Sequence, residues 1–83
     1  MHTDILDSYS TTHLPLAAYL KAKNVQLTGV SIDEHKRGNF GFIQVPRTFI
    51  IDFNNGTALV EPNDFAIKMS QLVQTVRRQQ EIA

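Results

Sequence analysis

The run Asn63-Asp64-Phe65-Ala66-Ile67-Lys68-Met69-Ser70-Gln71-Leu72-Val73-Gln74-Thr75-Val76-Arg77-Arg78 dictates what the rest of the chain has to provide. Phe65, Met69, Leu72 and Val76 recur at i, i+4, i+7 and i+11, which places them in one stripe on a helix of about four turns. Ala66 and Val73 widen the stripe, while Lys68, Gln71, Gln74, Thr75 and Arg78 fall elsewhere and face water. Glu61 or, better placed, Asn63 caps its start, and Asp64 favours the positive end of the helix dipole. An amphipathic helix of this length needs an apolar surface to lie on.

The segments before it supply that surface. Val25 to Asp33 reads as a strand in which Val25 and Leu27 hold one phase and Val30 and Ile32 the other. The change of phase at Gly29 predicts a bulge. Asp33 to Gly38 is a polar hairpin loop, and Asn39 to Val45 returns as a second strand with Phe40 and Phe42 on one face. Ile5 to Ser10 can form another short strand, although residues 1–7 also read as a loose tail. Thr11 or Thr12 is suited to cap a first helix over about His13 to Lys23, with Pro15 in its first turn. Leu16, Ala17 and Leu20 make its buried stripe, and Asn24 can take the left-handed conformation that closes it. Thr48 to Phe53 fits a short helix or a strand, because periodicity does not separate the two over so few residues. Asn54-Asn55-Gly56 stops it, and Thr57 to Glu61 reads as extended. The predicted order is β-α-β-β-(short α or β)-α: an α+β fold with a small antiparallel sheet and helices on one face. A small Sm-like β-barrel with flanking helices is the alternative.

Eighty-three residues with 42% hydrophobic content make one domain, residues 1–83, with one modest core. The absence of cysteine excludes disulfides and thiolate metal sites. Eight basic residues balance eight acidic ones, so no overall field argues for nucleic acid or an anionic membrane, though a local basic patch is compatible with it. No apolar run approaches the roughly 18 residues that span a bilayer, so no membrane partner is expected and the cytoplasm is the default location. His2, His13 and His35 lack partners at ligand spacing, and no metal is expected. Ser8, Ser10, Thr11 and Thr12 lie beside His13, but nothing marks an orienting third group or an oxyanion site. The glycines are isolated turn positions and make no phosphate loop. No catalytic residue, no cofactor and no enzymatic activity is expected.

Arg37-Gly38-Asn39-Phe40-Gly41-Phe42-Ile43-Gln44-Val45 is the most suggestive stretch. It resembles the aromatic ribonucleoprotein strand motif of RNA-recognition and cold-shock domains, with Asn39 as an insertion and no partner motif on the first strand. That resemblance implies that Phe40 and Phe42 stack bases while Lys36 and Arg37 reach phosphate. The competing expectation places both rings in the core under the last helix. Lys21 and Lys23 would join Lys36 and Arg37 if the first helix ended near the hairpin tip, and Arg77 and Arg78 give the last helix a basic end. Lys36, Arg37, Phe40, Phe42, Lys21 and Lys23 define a nucleic-acid-binding expectation, with single strands as partner. The second expectation is a homo-oligomer or protein-binding module using a sheet edge or the last helix, with Ile67 as a candidate contact.

Read as a whole, the chain is similar to an uncharacterised family of short prokaryotic and phage domains. The similarity rests on Tyr9-Ser10-Thr11-Thr12, Leu14, Leu16-Ala17-Ala18, Leu20, Leu27-Thr28-Gly29-Val30, Phe40, Phe42, Phe53-Asn54-Asn55-Gly56, Val60-Glu61-Pro62 and Phe65. These are packing and turn residues. The resemblance implies a helix before the Asn-Gly turn and a phage-like origin, and it implies no activity or ligand. The chain departs from the pattern at His13, where an acidic residue is usual, and at Pro15.

Overall fold

A computed structural model describes residues 5–82. The elements are β1 (Ile5–Thr11), α1 (Leu14–Ala22), β2 (Gln26–Ile32), β3 (Gly38–Pro46), α2 (Arg47–Asn55) and α3 (Pro62–Ile82). The three strands form one open antiparallel sheet in the order β1-β3-β2. This is the small α+β fold expected, and the sheet is open rather than a closed barrel. Residues from Ile5 belong to β1, so the strand reading holds there and 5–7 are not part of a loose tail; residues 1–4 lie outside the described part.

β3 is the central strand, and Phe40, Phe42 and Val45 on it are buried. Leu27 pairs with Phe42 and Val30 with Phe40, so both aliphatic side chains fall on the Phe40–Phe42 face. Their opposite phases in the sequence are reconciled by a register shift between Leu27 and Gly29, the expected bulge, which leaves Thr28 as the extra residue. A second irregularity lies at Gln44, whose φ of 53° breaks the alternation and turns Val45 back into the core. α1 buries Leu16 to Leu20 against this face, and α3 runs beside α1 and over β2 with Leu72 fully buried. The other sheet face carries Ser8, Ser10, Thr28, Asn39, Gly41 and Ile43 and has no helix on it.

Residues 47–55 form a helix because Phe49 and Phe53, four apart, meet Tyr19 of α1 together. Their ring centroids lie 6.1 Å and 5.7 Å from that of Tyr19, and a strand would have put Ile51 on the same face. Gly56 ends the helix at φ 74°, which glycine adopts without the Cβ clash other residues meet.

The caps differ from expectation in two places. The helical φ/ψ of α1 begin only after His13, and the Thr11 hydroxyl accepts from the His13 amide, ahead of the helix rather than within its first turn. At α3 the cap is Glu61, not Asn63. Its carboxylate accepts from the amides of Asn63 at 3.1 Å and Asp64 at 2.8 Å. Pro62 occupies the first helical position, where a missing N–H costs nothing. α3 spans 21 residues, longer than the four turns its apolar stripe required. Residues 57–61 have no regular hydrogen-bonded structure.

Candidate nucleic-acid interface

The hairpin tip is built by Asp33. Its carboxylate accepts from the amides of His35 at 2.9 Å and Arg37 at 2.8 Å, and from Arg37 Nε at 3.1 Å. The main chain closes the loop through the Asp33 amide to the Arg37 carbonyl and the Lys36 amide to the Asp33 carbonyl, both 2.9 Å. Lys36 holds φ 64° in this turn. The amide hydrogen bond from Arg37 is the largest influence on the Asp33 carboxyl; desolvation opposes it, and the Arg37 guanidinium and the His35 amide add to it, so the carboxyl is held below its ordinary value.

Helix α3 reaches this tip. Gln80 Nε2 donates to the Lys36 carbonyl at 2.9 Å. Gly38 lies under Val76 so closely that a Cβ at that position would fall 2.4 Å from Val76 Cγ2. Between hairpin, α3 and the start of α1 is a groove of about 310 Å³. Lys36, Arg37 and Arg77 stand around it with Thr12 and Gln80, over an apolar floor that includes Val73 and Val76. The volume is at the small end of the roughly 300–1,000 Å³ typical of ligand sites. Arg37 is engaged by Asp33, whereas Lys36 and Arg77 make no ion pair among the described residues.

The residues expected to form the interface separate into three groups. Lys36 and Arg37 are brought together at the groove, and Arg77 joins them. Lys21 and Lys23 do not: α1 starts beside the hairpin tip, where Leu14 lines the groove, and ends at the opposite end of the sheet, where Lys23 neighbours Gln26, Ile43 and Gln44. The expectation placed the wrong end of the helix at the hairpin, because α1 runs back antiparallel to β1 before β2 begins. Phe40 and Phe42 are 2% and 1% exposed. Their burial corrects the stacking role: no base can reach rings already covered by α1 and α3. The open sheet face, which could have served instead, carries no aromatic side chain among the described residues.

Sequence reasoning missed Gln80 and Thr12. The signal for the first was present, since Val73, Val76, Arg77 and Gln80 follow i, i+3, i+4, i+7 spacing and share one helix face. Thr12 enters only through tertiary proximity. His13 packs edge-on against Phe53 with centroids 5.7 Å apart, and His35 lies 3.8 Å from Glu34 at the exposed tip. Burial pushes the Tyr19 phenol up, with the Asp52 carboxylate adding to the effect. Among the described residues no three His, Cys, Asp or Glu side chains converge, and no helix is long and apolar enough to cross a membrane.

No protein-family model, curated protein or solved structure matches this chain.

Proposed function

We propose that this domain is a non-catalytic module that binds single-stranded nucleic acid at the groove between the hairpin tip and α3. The observation that supports the reading is the placement of Lys36, Arg37 and Arg77 around one concave apolar floor in a protein whose net charge is zero. Cations around the rim suit a phosphodiester, and the floor of Val73 and Val76 suits the flat side of one base or sugar. A groove this small does not accommodate a duplex. Arg37 is held in position by Asp33, so less side-chain freedom is lost when it meets phosphate.

Two or three phosphate contacts make a weak, salt-sensitive binder. The expected dissociation constant is about 10⁻⁴–10⁻⁶ M, with a slope of log affinity on log salt of about −1.5 to −2. Fluorescence anisotropy of a labelled oligonucleotide titrated at several salt concentrations measures both. Lys36→Glu and Arg77→Glu, at exposed positions, should abolish the signal while leaving circular dichroism unchanged. Binding that survives both reversals, or no binding at low salt, refutes the reading.

Self-association is a second reading with its own observation. β1 is a seven-residue edge strand without a bulge, proline or lysine, whereas the other edge, β2, is interrupted by its bulge. Ile5 on β1 and Ile67 on α3 are about half exposed. Light scattering tests this: a monomer at tens of micromolar argues against it.

A further inference from the structure

Asn55-Gly56 closes α2, and the pair carries chemistry of its own. The Asn55 side chain is exposed and makes no side-chain hydrogen bond among the described residues. Gly56 follows it in left-handed backbone, φ 74°. Beyond its chain neighbours, nothing lies within 4 Å of the place a Cβ would take there. When the nitrogen of the next residue attacks an asparagine carboxamide, a five-membered ring closes. Glycine alone brings that nitrogen with no side chain beside it. Asn24, Asn39, Asn54 and Asn63 are followed by Val25, Phe40, Asn55 and Asp64, each of which crowds the attack.

The last turn of α2 restrains the reaction. The Gly56 amide donates to the carbonyls of Asp52 and Phe53, the latter at 3.2 Å. The Thr57 amide donates to the Asp52 carbonyl at 2.9 Å. These bonds are released when the turn opens, and the packing of α2 makes opening easy. None of its residues is fully buried, and its aromatic contacts are those of Phe49 and Phe53 with Tyr19 and of Phe53 with His13. Elements with few buried apolar contacts open locally at far less than the global unfolding free energy.

We infer that Asn55 is a self-modification site whose conversion to aspartate or isoaspartate uncaps α2. The Gly56 nitrogen bonds to Asn55 Cγ, the Cγ–Nδ2 bond breaks, and Nδ2 leaves as ammonia with the proton that Gly56 gave up. Water then opens the ring. Opening at Cγ gives aspartate, and opening at the main-chain carbonyl carbon gives isoaspartate, with Cβ and Cγ now in the main chain. The only co-reactant is water, and neither groove nor ligand takes part. Either product puts a carboxylate at the negative end of the helix dipole, three residues after Asp52. Isoaspartate also displaces the Gly56 amide from the two carbonyls it serves.

The experiment holds the full chain for days at mildly alkaline pH and body temperature, then maps it by digestion and mass spectrometry. Residue 55 should gain the mass of an amide-to-acid exchange, faster at higher pH, while Asn24, Asn39, Asn54 and Asn63 stay amides. Gly56→Ala separates the chemistry from simple fraying. Alanine is disfavoured at this φ and loosens the end of α2, yet its methyl hinders the attacking nitrogen, so conversion should slow severalfold. Asn55→Asp carries the aspartate product from the start and should melt about 2–6 °C below the native chain. No mass gain at residue 55 in the folded chain, gain spread evenly over the asparagines, or undiminished conversion in Gly56→Ala overturns the modification site. An Asn55→Asp chain that melts with the native one overturns the uncapping.

Discussion

Adding one methyl group at Gly38 would lever α3 away from the hairpin. An alanine Cβ there falls 2.4 Å from Val76 Cγ2 and 3.2 Å from Phe40 Cζ, against a comfortable carbon–carbon separation of about 3.5–4.0 Å. The overlap with Val76 is therefore about 1 Å, and backbone or helix must move. Overpacking of this kind costs about 1–3 kcal/mol. Alanine also restricts the unfolded chain, which works the other way by about 0.4–1 kcal/mol. The steric effect is the larger, so Gly38→Ala should lose about 1–2 kcal/mol. For a chain of this length, total stability is on the order of 4–12 kcal/mol, so the loss is readily measured. Val76→Ala alone removes two half-buried methyl groups and should cost about 1 kcal/mol. The double variant is decisive. With the valine methyls gone the new Cβ has room, so the combined loss should be smaller than the sum by about 1 kcal/mol or more. Urea denaturation followed by far-ultraviolet circular dichroism gives all four corners of the cycle. Additivity within about 0.5 kcal/mol, or a neutral Gly38→Ala, would refute the seating of α3 on the hairpin and with it the groove.

Phe40→Ala should cost about 3–5 kcal/mol, as emptying a buried ring site does, and thermal melting should show it; an unchanged melting temperature would return the ring to the surface and to base stacking. Glu61→Ala leaves the first amides of α3 without their carboxylate and should cost about 0.5–2 kcal/mol in the same assay. Asp33 has a lowered folded-state pKa, so what it contributes to hairpin closure is present above the unfolded value of about 3.9 and is lost as pH falls through the lower folded value. The Arg37 amide resonance should therefore titrate below about pH 4 in the native chain, and an unchanged titration in Asp33→Asn would show that another group is responsible.

Much of this fold is written locally. The 3.6-residue recurrence of Phe65, Met69, Leu72 and Val76, the polar hairpin loop from Asp33 and the phase change at Gly29 each name their element without reference to the rest of the chain. Helix α2 was ambiguous because a nine-residue segment has too few turns to display a period; the neighbour that selects helix is Tyr19, some thirty positions away. Of the two candidate α3 caps, Glu61 and Asn63, Asn63 is the stronger by residue type, whereas Pro62 at the first helical position commits the preceding residue, Glu61, to the role. The site was less legible than the fold. Arg77 and Gln80 could have been paired with the last stripe by spacing, but nothing local brings them to Lys36 rather than to Lys23.

Alternation, capping residues and turn glycines thus determined by themselves that this chain makes one antiparallel hairpin roofed by helices, since those signals depend on neighbours within one or two turns of the backbone. Tertiary structure alone decided which end of α1 meets the hairpin and that Phe40 and Phe42 are covered. Each of these depends on the direction in which elements cross the sheet. That direction follows from the packing of whole faces, a sum over contacts distant in sequence that no single stretch encodes.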